Sequence, residues 1–315
     1  MATYLQLFAI VLPVFLVVGL GVLLRSRGWV TAEAEGSLFH LVINVAAPCL
    51  IFDSVVSNAA LRSPANLLGA PLVGFTLTLA GIAVAWLTGR AIGLGVGTGL
   101  RTFALTAGIA NYGYLPLPIV DALWGPDVRG VLLVHNMGVE AAIWTGGVLV
   151  ISGLSLREGW RRLLNLPLLA LVVSVAVNLA GLGPHVPEPV LAAVRWMGQM
   201  VVPLGLIMTG VSLQPHLGSP GALFVPRISL GSCAVRLLLL PLLFLVVAKV
   251  GPFPPELKRV IVVQAAMPTA VVPIILARVY GGQPLTAVQI VLMTTLAAMF
   301  TIPAWMGFGL RWVGL

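Results

Sequence analysis

The sequence predicts an all-α integral membrane protein: ten transmembrane helices in two inverted five-helix repeats. Three observations lead there: the composition, the spacing of charge-free runs, and a likeness between the two halves. Of 315 residues, 59% are hydrophobic and only 8% are charged, with a mean hydropathy of +1.09. A soluble domain carries roughly 25% charged residues. No Asp, Glu, Lys or Arg occurs in 1–24, 63–89, 102–120, 163–187, 196–226 or 279–310. Each run reaches the ~18 residues that mark a membrane-spanning helix. Backbone groups in lipid must pair within their own segment, so continuous apolar runs read as helices. A β-barrel would instead show alternating strands of ~10 residues.

Turn residues and charges place the helices at about 3–24, 37–57, 65–88, 98–124, 129–153, 163–182, 190–212, 219–249, 258–281 and 285–312. The connections are short, and no soluble domain is expected between them. The first run lacks a basic segment ahead of it, and Arg25 and Arg27 follow it, so it reads as a helix and not as a cleavable signal. The net charge of +8 does not point to nucleic acid, because most of the 17 basic residues fall at helix ends. With the N-terminus outside, Arg25, Arg27, Arg90, Arg101, Arg157, Arg161 and Arg162 lie on the cytoplasmic side. Only Arg62 and Arg129 of the first half then lie outside. Lys249, Lys258 and Arg259 count against this orientation, but the first half usually dominates insertion. Both termini are expected on the outer side of a cell membrane. Cys49 and Cys233 lie in apolar runs and are too few for a disulfide framework.

The halves match at a nearly constant offset. Leu12-Pro13 corresponds to Leu166-Pro167, Asn44–Pro48 to Gln199–Pro203, and Trp124-Gly125 to Tyr280-Gly281, at offsets of 154, 155 and 156. Residues 1–157 and 158–315 therefore read as repeats. Five spans is an odd number, so the second copy enters from the opposite side. Inverted repeats characterise alternating-access carriers, whose sites lie at the repeat interface near the midplane.

The fourth helix carries Asn111, Gly113, Pro116 and Pro118 in mid-run, and the ninth carries Pro268, Thr269 and Pro273 at the equivalent place. Each proline removes a backbone donor and disrupts the turn behind it. An ordinary proline kink would explain one such fault. Paired interruptions in corresponding helices point to a binding site. Freed amides and half-helix N-termini favour an anion there. The candidate substrate contacts are Asn111, Tyr112, Gly113, Pro116, Met267, Pro268, Thr269 and Pro273.

The stretch Asn111–Gly125 resembles the fourth-helix signature of the auxin efflux carrier family, and Met267–Gly281 resembles its ninth. Gly19–Arg25 and Asn44–Phe52 fit the same family, so the resemblance covers nearly the whole chain. It implies a ten-helix fold with helices 4 and 9 crossing in mid-membrane. It also implies a homodimer that transports small organic anions, auxin-like or malate-like carboxylates. The long cytoplasmic loop of many plant members is absent, so the chain looks like a short, bacterial-type member.

Ionisable groups at membrane depth are costly and read as functional candidates. Asp53 and Glu140 are candidates for ion coupling, by proton or sodium. Asp53 also reads as an interfacial carboxylate, and Glu140 as a structural partner of a hydroxyl or of Arg236. Asp121 reads as interfacial, and Arg236 as paired with a carboxylate or with an anionic substrate. The four histidines show no metal-ligand spacing, and Gly93–Gly99 reads as a bend between helices, not a phosphate loop. No cofactor and no catalytic residues are expected. The expected function is an elevator-type secondary carrier, with helices 1, 2, 6 and 7 as scaffold and 3–5 and 8–10 as moving core. The competing readings are a sodium- or proton-coupled carrier of the bile-acid symporter or sodium/proton exchanger type, an intramembrane enzyme, and a receptor or subunit.

Overall fold

The computed structural model describes residues 3–152, 164–217 and 224–315. Among these the chain is helical, and the only β-pairing is one isolated bridge. The elements are α1 (Tyr4–Ser26), α2 (Ala32–Val55), α3 (Pro64–Ala91), α4 (Leu100–Gly108), α5 (Pro116–Trp124), α6 (Pro126–Ser152), α7 (Leu166–Leu179), α8 (Glu188–His216), α9 (Pro226–Val250), α10 (Pro255–Ala266), α11 (Val272–Val279) and α12 (Pro284–Val313). Seven of these, α1, α2, α3, α6, α8, α9 and α12, are long and apolar enough to cross a membrane, and α7 is a shorter apolar helix. Large apolar side chains stand exposed along them, including Leu5, Leu16, Leu72, Leu87, Trp196, Leu230, Leu296 and Phe300. So much exposed apolar surface suits contact with lipid or with another chain.

Helix starts follow local chemistry. Thr3 caps α1 in a reciprocal box: its hydroxyl accepts from the Gln6 amide, while the Gln6 side chain accepts from the Thr3 amide at 2.8 Å. The second helix begins at Ala32, earlier than the expected 37, because Thr31 caps it and Glu33 and Glu35 occupy its first turn. The Gly93–Gly99 segment is a bend between α3 and α4, with positive φ at Gly93 and Gly99. At Gly99 the φ of 99° favours glycine, which adopts it without strain.

Among the described residues three helices contain a π-turn: Val42–Ala46 in α2, Ile143–Gly147 in α6 and Val235–Leu239 in α9. In α9 the turn precedes Pro241, which cannot donate to the Leu237 carbonyl. The Trp305 indole of α12 donates to that carbonyl instead, at 2.8 Å.

Close helix approach depends on missing side chains. A Cβ at Gly138 would lie 1.8 Å from the Pro71 carbonyl oxygen, and one at Gly74 would lie 2.3 Å from that of His135, which brings α6 against α3. Gly21 and Gly210 do the same for α1 and α8. Gly81 and Gly108 do it for α3 and α4. α1 packs on α8 and α12, while α2 packs on α7 and α8. The expected repeat boundary at 157/158 lies outside the described residues, as do Arg157, Arg161 and Arg162.

Candidate functional site

The fourth and ninth expected helices are both broken. α4 stops at Gly108 and α5 starts at Pro116; α10 stops at Ala266 and α11 starts at Val272. The two gaps meet. Ala110 and Thr269 form an antiparallel bridge, with the Asn111 amide donating to the Pro268 carbonyl at 2.7 Å and the Ala270 amide to the Ile109 carbonyl at 3.1 Å. Backbone groups freed by each break are thus satisfied partly by the other break, as burial demands. On either side of the bridge, α10 packs on α5 and α11 packs on α4, so the four half-helices interlock.

Side chains from α6 and α10 hold the first gap in place. The Tyr112 carbonyl accepts from the Asn136 carboxamide at 2.8 Å and from that of Gln264 at 3.3 Å. Gln264 also donates to the Asn136 carbonyl oxygen at 3.3 Å. The Tyr112 hydroxyl donates to Glu140, whose other oxygen accepts from the Trp144 indole at 2.9 Å. Glu140 therefore stands on the break itself. Its partners are a hydroxyl and an indole, and Arg236 is not among them.

Arg236 holds the end of α10. It is fully buried and pairs with no carboxylate among the described residues. Its Nε donates to the Met267 carbonyl at 2.9 Å, and one Nη donates to the carbonyls of Gln264 at 3.1 Å and Ala265 at 3.4 Å. These are the last carbonyls of α10, the negative end of its dipole. The guanidinium also lies 5.4 Å from the Phe244 ring centroid.

The remaining expected site residues fall around the same crossing. Asn111 is 6% exposed, and Met267 and Thr269 are fully buried. The Thr269 hydroxyl has no partner among the described residues, while its amide donates to Thr294 at 3.4 Å. Pro116 and Pro273 open α5 and α11, where a missing amide costs nothing. Gly113 lies between the bridge and α5, and a Cβ there would meet no atom within 4 Å.

Asp53 is elsewhere. Arg129 of α6 and Arg195 of α8 each approach it at 3.4 Å. Arg129 also pairs with Asp121 at 3.2 Å, and Arg195 with Glu188 at 3.8 Å. Asp53, Arg129, Arg195 and Gln199 line a cavity of about 300 Å³ near the start of α6. Asn136 and Gln264, which fix the gap, were not among the expected site residues. A carboxamide among apolar residues of an expected helix was the available signal for both.

A family described as "Membrane transport protein" matches residues 7–158 and 154–306 of this chain. An uncharacterized transporter from the archaeon Methanothermobacter thermautotrophicus is 28% identical over 302 residues, covering 94% of this chain and 96% of that protein. The uncharacterized transporter MJ1031 of Methanocaldococcus jannaschii is 22% identical over 303 residues, with the same coverage. With broken, interlocked helices at the expected places and family matches along nearly its whole length, the chain belongs to the membrane transport protein family, that of the auxin efflux carriers.

Proposed function

We propose that the protein is a secondary carrier for a small organic anion, a carboxylate of auxin-like or malate-like kind, which binds at the joined breaks. The observation that carries this reading is the bridge between Ala110 and Thr269. Asn111 and the unpartnered Thr269 hydroxyl belong to that joint, and α5 and α11 start a few residues beyond it. A carboxylate there would meet partial positive charge without a formal charge facing lipid.

The proposed architecture is ten spans in two inverted repeats, 1–157 and 158–315, with the broken helices crossing at mid-membrane. Two pairs of glycines support the repeat. Gly125 and Gly281 follow the two broken helices, Gly28 and Gly181 follow the first and sixth, and all four have φ of 71°. In the elevator reading, α3–α6 and α9–α12 move against α1, α2, α7 and α8. The packing of α2 on α7 and α8, and of α1 on α8, supports that division. The exposed apolar faces suit a lipid-embedded homodimer. The proposed location is a cell membrane with both termini outside.

A second reading adds coupling to a proton or a sodium ion. It is favoured by Glu140, whose carboxylate binds the hydroxyl of Tyr112 on the unwound segment. Asp53 is the weaker candidate, because two arginines already surround it.

The test is uptake of radiolabelled indole-3-acetate and malate into liposomes holding the purified chain, with protein-free liposomes as control. Saturable, protein-dependent uptake of either acid supports a carrier. Specific binding of the acids without uptake would instead favour a receptor or a subunit.

A further inference from the structure

Arg236 is a full positive charge with no counter-charge among the described residues, at the level of the α10 break. Three of its contacts are neutral carbonyls and one is an aromatic face. Its second terminal nitrogen, Nη1, is buried with no hydrogen-bond partner. An isolated buried cation carries a large desolvation penalty, which helix-end carbonyls offset only in part. The Thr269 hydroxyl, two residues beyond the Met267 carbonyl that Arg236 holds, is likewise buried without a partner. Nη1 can only donate and the Thr269 hydroxyl can donate, so both suit an anion, while the Gln264 carboxamide oxygen is a buried acceptor without a partner at the same break. The π-turn at Val235–Leu239 sets Arg236 off the regular helical ladder of α9.

We infer that Arg236 is the charge-selecting residue of the carrier: its fixed positive charge, presented through Nη1 beside the α10 break, makes the site accept a carboxylate and reject the neutral amide of the same shape. This inference rests on the reading that the ligand binds at the joined breaks. Arg236 has two duties in it. Nε and the other Nη hold the end of α10, and the remaining nitrogen supplies the charge. A lysine can supply the charge but not the fork that holds three carbonyls.

The test is thermal stabilisation of the purified full chain by indole-3-acetate and malate, each beside its neutral amide, in the parent, Arg236→Gln, Arg236→Lys and Asn111→Ala. In the parent the acids are expected to bind roughly ten- to a hundredfold more tightly than the amides. Arg236→Gln should erase that ratio, and Arg236→Lys should keep part of it. A merely structural arginine would lower the stability of both variants and leave the ratio unchanged. Asn111→Ala should weaken the acids and preserve a preference for acid over amide. If Asn111→Ala binds the acids as the parent does while Arg236→Gln loses the preference, charge selection stands and the crossing reading fails. If Asn111→Ala weakens binding while Arg236→Gln keeps the ratio, the inference fails alone. The parent decides the matter even where the variants do not fold: equal binding of acid and amide, or binding of neither acid, overturns the inference.

Discussion

Asn136→Ala probes how the unwound segment keeps its shape. The Asn136 carboxamide, 5% exposed, donates to the Tyr112 carbonyl at 2.8 Å and accepts from Gln264 at 3.3 Å. The alanine variant loses both bonds. Tyr112 retains only the longer bond from Gln264, at 3.3 Å. Hydrogen bonds between helices in membrane proteins contribute about 0.6 kcal/mol on average and up to ~1.7. Two lost bonds therefore predict a destabilisation of about 1–3 kcal/mol. Gln264→Ala should cost a similar amount, and the double variant should cost less than the sum, because the two side chains share one carbonyl and bond each other. The assay is unfolding of all three variants and the parent in detergent, followed by heating or by denaturant. Unfolding of Asn136→Ala at the parent's midpoint, or strict additivity in the cycle, would refute the idea that these side chains jointly hold the gap.

Three further variants test separate parts of the structure. Gly138→Ala forces a methyl group to 1.8 Å from the Pro71 carbonyl oxygen and should destabilise by about 1–3 kcal/mol, whereas Gly113→Ala meets nothing within 4 Å and should unfold like the parent. Trp305→Phe removes the donor to the Leu237 carbonyl that Pro241 cannot serve, and should cost about 1–2 kcal/mol in the same unfolding assay. If Glu140 carries a coupling proton, Glu140→Gln should abolish the pH dependence of uptake while Asp53→Asn keeps it; unchanged pH dependence in Glu140→Gln would leave Glu140 as a structural partner of Tyr112 and Trp144.

The breaks were legible in the sequence because proline and glycine act locally. Pro268 deletes a donor just past the end of α10 at Ala266, and Pro116 and Pro118 fall in the first turn of α5, where a helix can start without those amides; α4 ends earlier, at Gly108. Thr31, Glu33 and Glu35 carry the local signal of a helix start, and α2 begins there, ahead of the expected 37. What the sequence hid depends on partners far along the chain. Arg236 pairs with no carboxylate among the described residues; it reaches carbonyls about 30 residues on, freed by a break in another helix. Asn136 and Gln264 meet at Tyr112 only because α6 and α10 pack side by side. The ion cluster around Asp53 draws Arg129 and Arg195 from helices remote in sequence, so Asp53 alone gave no sign of its neighbours.

The proposed carboxylate site lies where the two broken helices join. The most direct measurement is the affinity of the transported acid for Asn111→Ala and for the parent, read by equilibrium binding to purified protein. Asn111 is 6% exposed at the bridge, and its side chain has no hydrogen-bond partner among the described residues. Losing its hydrogen bond to a charged ligand should weaken binding by about 1–3 kcal/mol, with expression near that of the parent. Unchanged affinity in Asn111→Ala would contradict the account and place the anion away from the crossing.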